Sequence, residues 1–337
     1  MLTDDGELKD YLGTRFVRHD DGSLELTQPR MIDRVIRMVG LDPDSTRTKL
    51  HDTPASDTQL LDRNPQGKSR IQDWNYRSVV GSLSYLQAMV RPDLTMAVQQ
   101  CARFCNDPQR AHEEALKRIC RYLMKTKDHG LILKPDPKRG LECYVDADWA
   151  GSWMDRSSND PLSAHSRTGF VIMYAGCPIL WASKLQTLIA LSTTEAEYIA
   201  LSTALHEVIA IMNLLNEVKA RGFAIHPSVP QVVCKVFEDN HSCIEIATNH
   251  RTRPRTKHLS VRLHHFCSHV VAKTITIRHI STKHQIADMF TKPLPRDQFH
   301  VLRSRLMNWS FPRCKGVKEK PTSVRRIPRG ENHASEK

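Results

Sequence analysis

Long hydrophobic runs are absent from this chain of 337 residues. No stretch of 18 consecutive apolar residues occurs, and the N-terminus carries no apolar signal core. A membrane-spanning helix needs about 20 apolar residues, and a secretory signal needs an apolar centre of about 7–15 residues. The sequence therefore predicts a protein that is not secreted, does not lie in a membrane and has no membrane as a partner.

Acidic residues are scarce relative to basic ones. The chain has 37 Asp and Glu against 49 Lys and Arg, which gives a formal net charge of +12. Such an excess attracts polyanions, of which nucleic acid is the simplest. Residues 301–337 hold ten Lys and Arg against three Glu, so we predict a basic, disordered tail there that contacts phosphates.

The cysteines exclude a disulfide-rich secreted scaffold. There are nine, an odd number, and they are scattered rather than clustered. This usage favours reduced thiols. We therefore expect the protein in the cytoplasm, in the nucleus, or in both.

Residues 1–135 have the pattern of an α-rich scaffold. Residues 11–28 predict a hairpin, and Pro29 opens a helix with apolar residues at helical spacing. A polar connecting segment follows at 41–72, and helical periodicity resumes from 74 to 127. No paired carboxylates occur here in a cleft-like context, so we expect this part to act as scaffold.

Strands and helices alternate from residue 141 onward. After a first strand, the pattern predicts a long helix from Thr194 to Lys219, a short helix near 244–247 and a final helix from about His284. The further predicted strands are 169–174, 179–183, 232–237 and 274–280. The order β-β-β-α-β-α-β-α is typical of an α/β fold.

The first of these strands ends in two carboxylates. Leu141, Cys143 and Val145 alternate with other residues, as in a strand with one face in a core. Asp146 and Asp148 are two apart and so share a face. Carboxylates held at the end of a core strand suit a divalent metal; for this stretch alone, an acidic turn is the simpler interpretation.

The long helix carries two acids in its first turn. Thr194 and Glu197 fit a capping box, which would give Glu197 a structural role. Glu195 does not fit that box, and we therefore predict that Glu195 is the chemical residue. With Ser192 as the cap instead, the two roles would exchange.

Two more acids lie at the ends of elements. Asp239 follows a short apolar strand, and Asp288 is a lone acid among apolar residues of the final helix. Together with Asp146 and Glu195 they could converge on two cations about 4 Å apart, as in two-metal phosphodiester hydrolysis. Mg²⁺ is the favoured ion, with Mn²⁺ as a substitute. Asp148, Glu197 and His284 are auxiliary candidates, although His284 can equally be a plain helix-start histidine.

A basic stretch follows Asp239. In a chain of net charge +12 it is a candidate phosphate contact, while as a solvated turn it would need no explanation. Its candidate nucleic-acid-binding residues are Arg251, Arg253, Arg255, Lys257 and His258.

Several of these motifs, in this order, resemble one protein family. The chain is similar to the end of the reverse transcriptase and the ribonuclease H domain of copia-type LTR-retrotransposon Pol polyproteins. The motifs are Tyr144-Val-Asp-Ala-Asp-Trp-Ala-Gly151, Ser192-Thr-Thr-Glu-Ala-Glu-Tyr198, Asp239-Asn240, Arg255-Thr-Lys-His258 and Ala287-Asp-Met-Phe-Thr-Lys-Pro-Leu294, with Tyr11-Leu-Gly13, Tyr76–Leu83, Arg91–Leu94 and Arg121-Tyr-Leu123 upstream.

The resemblance implies an α/β fold with a ribonuclease H-like mixed five-stranded sheet and flanking helices. It implies a thumb or connection fragment of reverse transcriptase at 1–135, a ribonuclease H domain at 141–300 and the tail at 301–337. The family's four metal-binding acids fall on Asp146, Glu195, Asp239 and Asp288, the acids selected above.

The implied activity is hydrolysis of the RNA strand of RNA–DNA hybrids with two Mg²⁺ and no small-molecule cofactor. The implied partners are the hybrid and the polymerase domain of the same polyprotein, in cytoplasmic virus-like particles or in the nucleus. The family's polymerase motif Tyr-x-Asp-Asp does not occur, so we expect no DNA synthesis by this chain alone.

Two other interpretations remain. The chain could be a non-catalytic or decayed nucleic-acid-binding remnant of the same element. It could also be a strand transferase of integrase type, but that class uses acids in the order Asp, Asp, Glu, whereas the order here is Asp, Glu, Asp, Asp.

Overall fold

The computed structural model describes residues 8–56, 60–64, 66–136, 138–153, 160–223, 232–249 and 265–309. A small antiparallel sheet in the order β1-β2-β3-β4 forms one edge of the N-terminal part. Its strands are β1 (Asp10–Tyr11), β2 (Thr14–Arg18), β3 (Leu24–Thr27) and β4 (Leu131–Leu133). The predicted hairpin at 11–28 is the β2–β3 pair, in which Phe16 lies opposite Leu26.

The helices predicted for the N-terminal part are present. They are α1 (Pro29–Met38), α2 (Tyr76–Met89), α3 (Thr95–Ala102) and α4 (Arg110–Lys125). Pro29 occupies the first turn of α1, where its missing N–H costs nothing. The amide oxygen of Asn75 caps α2 by accepting the N–H of Ser78 at 2.9 Å.

A second, five-stranded sheet forms the centre of the chain. Its strands are β5 (Leu141–Asp148), β6 (Arg167–Tyr174), β7 (Cys177–Leu185), β8 (Cys234–Glu238) and β9 (Ile275–His279). The order is β7-β6-β5-β8-β9. The β5–β6 and β6–β7 pairs are antiparallel, whereas β5–β8 and β8–β9 are parallel. The predicted mixed five-stranded sheet is therefore confirmed.

Three helices cover one face of this sheet: α5 (Thr193–Ala220), α6 (His241–Asn249) and α7 at 265–271. They enclose a core with the predicted inward residues of β5, Cys143 and Val145, which are fully buried. Among the described helices, α5 alone is long and apolar enough to suit a membrane span, and half of its most apolar window is buried inside the protein. Its apolar residues pack on the sheet.

The other face of the sheet packs on the N-terminal helices. Tyr144 and Val171 from the sheet share one core with Leu83 and Leu123 of α2 and α4. Two C-terminal helices, α8 (Asp288–Thr291) and α9 (Arg296–Met307), complete this core. The domain boundaries proposed from the sequence therefore cross a continuous hydrophobic core, and the division itself stays a prediction.

Helix α9 extends beyond residue 301, where the sequence predicted the start of a disordered tail. Leu302, Leu306 and Met307 are fully buried, and Trp309 is nearly so. The assignment of residues 301–309 to a disordered tail is therefore wrong, because these apolar side chains have a core to enter. The rest of the predicted tail, 310–337, lies outside the described residues.

A buried polar network fastens α9 to the N-terminal part. Arg91 is fully buried and donates two hydrogen bonds to Asp93, at 2.9 and 2.8 Å. Tyr122 of α4 donates its hydroxyl to the same carboxylate at 2.6 Å. Arg303 of α9 donates to that hydroxyl oxygen at 2.9 Å and lies 4.6 Å from the Trp309 ring centroid. Buried charges paired in this way specify one arrangement of the helices.

Candidate metal centre

The parallel strands β5 and β8 end at the same edge of the sheet. Tyr144 of β5 lies opposite Phe237 of β8, so Asp146 and Asp239 both follow that pair by two residues. Asp146 is 2% exposed, and Asp239 is half-buried. Strand pairing thus brings two acids together that are 93 positions apart in the sequence.

The N-terminal part of α5 contributes a third acid to this edge, Glu197. One carboxylate oxygen each from Asp146, Glu197 and Asp239 lie within 4.8 Å of one another. Glu197 is only 7% exposed, since α5 packs across β5 at this point. These three residues are the acid triad of the site.

Glu195 is not part of the triad, which corrects the prediction from the sequence. Ser192 caps α5, and its hydroxyl accepts the N–H of Glu195 at 3.2 Å. The carboxylate of Glu195 accepts the N–H of Leu191 at 2.9 Å. Ser192 and Glu195 thus hold the helix start, and Glu197 takes the place predicted for Glu195. This is the exchange of roles that a Ser192 cap implies.

The cap at Ser192 should make a measurable contribution to the free energy of unfolding. We expect Ser192→Ala to lower the free energy of unfolding by about 1 kcal/mol, because the N–H of Glu195 then loses its acceptor. Chemical denaturation of both proteins tests this, with Ser82→Ala, a change within α2 away from any cap, as the control. An unchanged denaturation midpoint would show that Ser192 does not cap α5 in solution.

Burial disfavours the charged forms of the triad carboxylates. Desolvation raises the pKa of Asp146, although Lys292 and the hydroxyl of Thr291 act in the opposite direction. Desolvation also raises the pKa of Glu197 well above its usual value, and the charges of Glu238 and Asp146 add to the increase. A cation near these carboxylates would lower both pKa values, because it stabilises their charged forms.

Glu238 is a further buried acid at this edge, and the sequence interpretation did not select it. It is fully buried, and its Oε1 accepts the N–H of Asn240 at 3.1 Å. Desolvation raises its pKa well above the usual value. Glu238 therefore shapes the turn that carries Asp239, because its carboxyl group binds the backbone of that turn.

Asp288 lies beside Asp146, at the start of α8, but pairs with other groups. Its Oδ1 is 2.9 Å from the ammonium of Lys292, and its Oδ2 accepts a hydrogen bond from Gln298 at 3.3 Å. Desolvation and the neighbouring charge of Asp146 raise the pKa of Asp288 to about 7. The structure thus brings the predicted fourth acid to the site, outside the triad.

Close packing of α8 on β6 fixes the orientation of Asp146. A Cβ at Gly169 would lie 2.6 Å from Cγ2 of Thr291, so only glycine allows this approach. Thr291 in turn donates its hydroxyl to Oδ2 of Asp146. The interaction joins residues 145 positions apart, which explains why the sequence alone did not indicate it.

Gln285 ties the two strands of the site together. It is fully buried, and its Nε2 donates to the carbonyl of Val145 at 2.8 Å and to that of Phe237 at 3.3 Å. These carbonyls precede Asp146 and Glu238. A buried glutamine close to Asp288 in the sequence is the signal that could have indicated this role.

Two auxiliary candidates are not members of the triad. Asp148 is half-buried, and desolvation raises its pKa while Lys292 opposes the increase. A Cβ at Gly151 would lie 1.9 Å from Oδ2 of Asp148, so this glycine leaves room for the carboxylate. His284 is exposed on a turn, where Arg305 donates to its carbonyl at 3.1 Å; it does not join the triad.

The predicted nucleic-acid-binding residues lie outside the described part of the chain and stay a prediction. They are Arg251, Arg253, Arg255, Lys257 and His258.

The triad fits a hard divalent cation. Its three donors are carboxylate oxygens, the ligands that Mg²⁺ prefers. Oε2 of Glu197 is buried and has no hydrogen-bond partner. An unpaired buried carboxylate oxygen is costly unless a cation or donor satisfies it. The residues present therefore suit a metal site.

The chain is similar to known proteins over most of its length. No protein-family model matches it. It is 33% identical over 307 residues to the retrovirus-related Pol polyprotein from transposon TNT 1-94 of Nicotiana tabacum, covering 90% of the chain and 22% of that relative. It is also 33% identical over 310 residues to the corresponding polyprotein from transposon RE1 of Arabidopsis thaliana, covering 90% and 19%. The chain thus spans about a fifth of each relative's length.

A similar solved structure is LC11-RNase H1 in complex with an RNA/DNA hybrid. The match has 16% sequence identity and a TM-score of 0.31, and it covers 45% of this chain and 93% of that chain.

The strand order, the mixed strand directions and the helices on both faces define a ribonuclease H-like fold with an additional helical N-terminal region. The chain corresponds to a segment of the copia-type retrotransposon Pol polyproteins, as its motifs predicted.

Proposed function

We propose that this chain hydrolyses the RNA strand of RNA–DNA hybrids with the help of a divalent metal. The observation that carries the proposal is the triad of Asp146, Glu197 and Asp239 at one edge of a ribonuclease H-like sheet. Three carboxylates within reach of one ion suit phosphodiester hydrolysis, where charge develops on phosphate oxygens.

The triad residues would hold Mg²⁺, and each has a distinct support. Asp146 is oriented by the hydroxyl of Thr291. Glu197 is desolvated by the packing of α5 on β5. Asp239 accepts the hydroxyl of Thr282 at 2.8 Å and follows a turn that Glu238 holds. Such support fixes ligand geometry before an ion binds.

A bound Mg²⁺ would supply a Lewis acid that stabilises charge on the scissile phosphate and activates the attacking water. The chain itself keeps Asp146 and Asp239 together, since Gln285 joins the backbones of β5 and β8 one residue before Asp146 and two residues before Asp239. In the two-ion form expected from the sequence, Asp288 would also act as a ligand, and it lies beside Asp146.

We further propose that the substrate is held through its phosphates and that the chain acts with the polymerase domain of the same polyprotein. The net charge of +12 favours phosphate contacts that do not depend on base sequence. The relatives are Pol polyproteins, and LC11-RNase H1 was solved with an RNA/DNA hybrid. Cytoplasmic virus-like particles or the nucleus would be the place of action.

Metal removal tests the proposed activity. We expect the purified chain to cleave 5′-labelled RNA in an RNA–DNA hybrid with Mg²⁺. Cleavage should stop when a chelator is added and resume when Mg²⁺ or Mn²⁺ is restored, because the three carboxylates supply no positive charge to activate water. Duplex RNA, duplex DNA and single-stranded RNA of the same sequence are the controls. Binding of the hybrid without cleavage under either metal would contradict hydrolysis and favour the non-catalytic alternative.

A further inference from the structure

Lys292 places a positive charge between two acids of the site. Its ammonium is 2.9 Å from Oδ1 of Asp288 and 3.6 Å from Oδ2 of Asp146. The residue directly follows α8, where the chain turns to an extended conformation. The lysine thus bridges two of the four carboxylates that the sequence predicted as metal ligands.

The other contacts of these carboxylates strengthen this arrangement. Asp288 binds Lys292 through Oδ1 and Gln298 through Oδ2, at 3.3 Å. Oδ2 of Asp146 accepts the hydroxyl of Thr291 as well as facing Lys292. Asp288 therefore has an ion pair at Oδ1 and a hydrogen bond at Oδ2, both with groups of the chain itself. Oδ1 of Asp288 has no hydrogen bond beyond that ion pair, and Oε2 of Glu197 in the triad has no hydrogen-bond partner.

We propose that the ammonium of Lys292 is the second cation of this centre. Before nucleic acid binds, the site then takes one divalent ion, at Asp146, Glu197 and Asp239, while Lys292 holds the position between Asp146 and Asp288. This inference rests on the proposed metal-dependent function, and it replaces the second Mg²⁺ expected from the sequence with a residue of the chain.

The physical reason is competition between two cations for the same oxygens. A side chain tethered beside the carboxylates is present at a high effective concentration, so an ion from solution has to displace it. An ammonium also tolerates the irregular geometry of two carboxylates, while Mg²⁺ demands a near-ideal octahedron. Asp146 and Asp288 are buried, and this strengthens their attraction to the half-buried Lys292.

Counting bound ions tests the proposal without measuring activity. The full chain, free of nucleic acid, is titrated with Mn²⁺, and bound ions are counted by electron paramagnetic resonance and calorimetry. We expect one ion per chain for the wild type and two for Lys292→Met, because the neutral side chain leaves the carboxylates of Asp146 and Asp288 to a second ion. Lys292→Arg keeps the charge and should bind one.

The matched control is Lys184→Met, which removes an exposed lysine of β7 and should bind one ion. Circular dichroism establishes that each variant is folded. If Lys292→Met does not fold, Lys292→Arg provides a second measurement, because it must bind the same number of Mn²⁺ ions as the wild type. Two ions in the wild type, or the same count in wild type and Lys292→Met, would overturn the role of Lys292 while leaving the metal centre intact. No ion in any of these proteins would instead contradict the proposed metal-dependent function.

Discussion

Asp146→Asn is expected to lower the rate of RNA-strand hydrolysis by about three orders of magnitude. The change removes the negative charge of the acid that lies in the triad and also faces Lys292 and Asp288. A metal ion contributes several kcal/mol of transition-state stabilisation, and each 1.36 kcal/mol corresponds to about tenfold in rate. Single-turnover cleavage of a labelled hybrid measures the effect.

This variant should still fold and bind the hybrid. Asparagine has nearly the same shape and can accept the hydroxyl of Thr291, and the loss of one buried like charge relieves repulsion within the site. Fluorescence polarisation with the same hybrid is the control for binding. Cleavage by Asp146→Asn at the wild-type rate would show that the observed nuclease activity does not come from this site.

Glu197→Gln and Glu195→Gln form a matched pair two residues apart on α5. We expect Glu197→Gln to lower the rate by about 100-fold or more and to weaken Mn²⁺ binding, because it removes a charged donor of the triad. We expect Glu195→Gln to keep the rate within about threefold and to cost less than about 1 kcal/mol of stability, because an amide oxygen can still accept the N–H of Leu191.

Rates, Mn²⁺ affinities and thermal unfolding of both variants distinguish the two roles. In the presence of a chelator, Glu197→Gln should be at least as stable as the wild type, because Glu197 is a buried carboxyl group near Glu238 and Asp146. If Glu195→Gln lost activity and Glu197→Gln kept it, the assignment of the triad would have to be reversed.

The sheet was largely predictable because its signals are local. The alternation of Cys143 and Val145 indicated the strand and the face that α5 covers. It did not indicate that the opposite face, with Tyr144, is buried as well. Asp146 and Asp239 could be selected because each follows an apolar strand. Their meeting at one edge follows from parallel pairing of β5 and β8, which the sequence order permits but does not require.

The local sequence does not determine whether Glu195 or Glu197 joins the triad. Ser192 and Thr194 each stand three residues before a glutamate, and caps of the two residue types differ little in strength. The packing of α5 on β5 determines which glutamate faces the sheet, and the buried one is Glu197. The contacts of Thr291, Gln285 and Lys292 with β5 span 140 positions or more, so no sequence window contains them.

The shared core determines where this chain can be truncated. The face of the central sheet that carries Tyr144 and Val171 is covered by the N-terminal helices, with α9 fastened to them through Arg91 and Arg303. A truncation beginning at residue 141 would leave that apolar face to water and invite aggregation. The unit that carries the candidate metal centre is therefore larger than its motifs suggest, because the helices before residue 141 cover one face of its sheet.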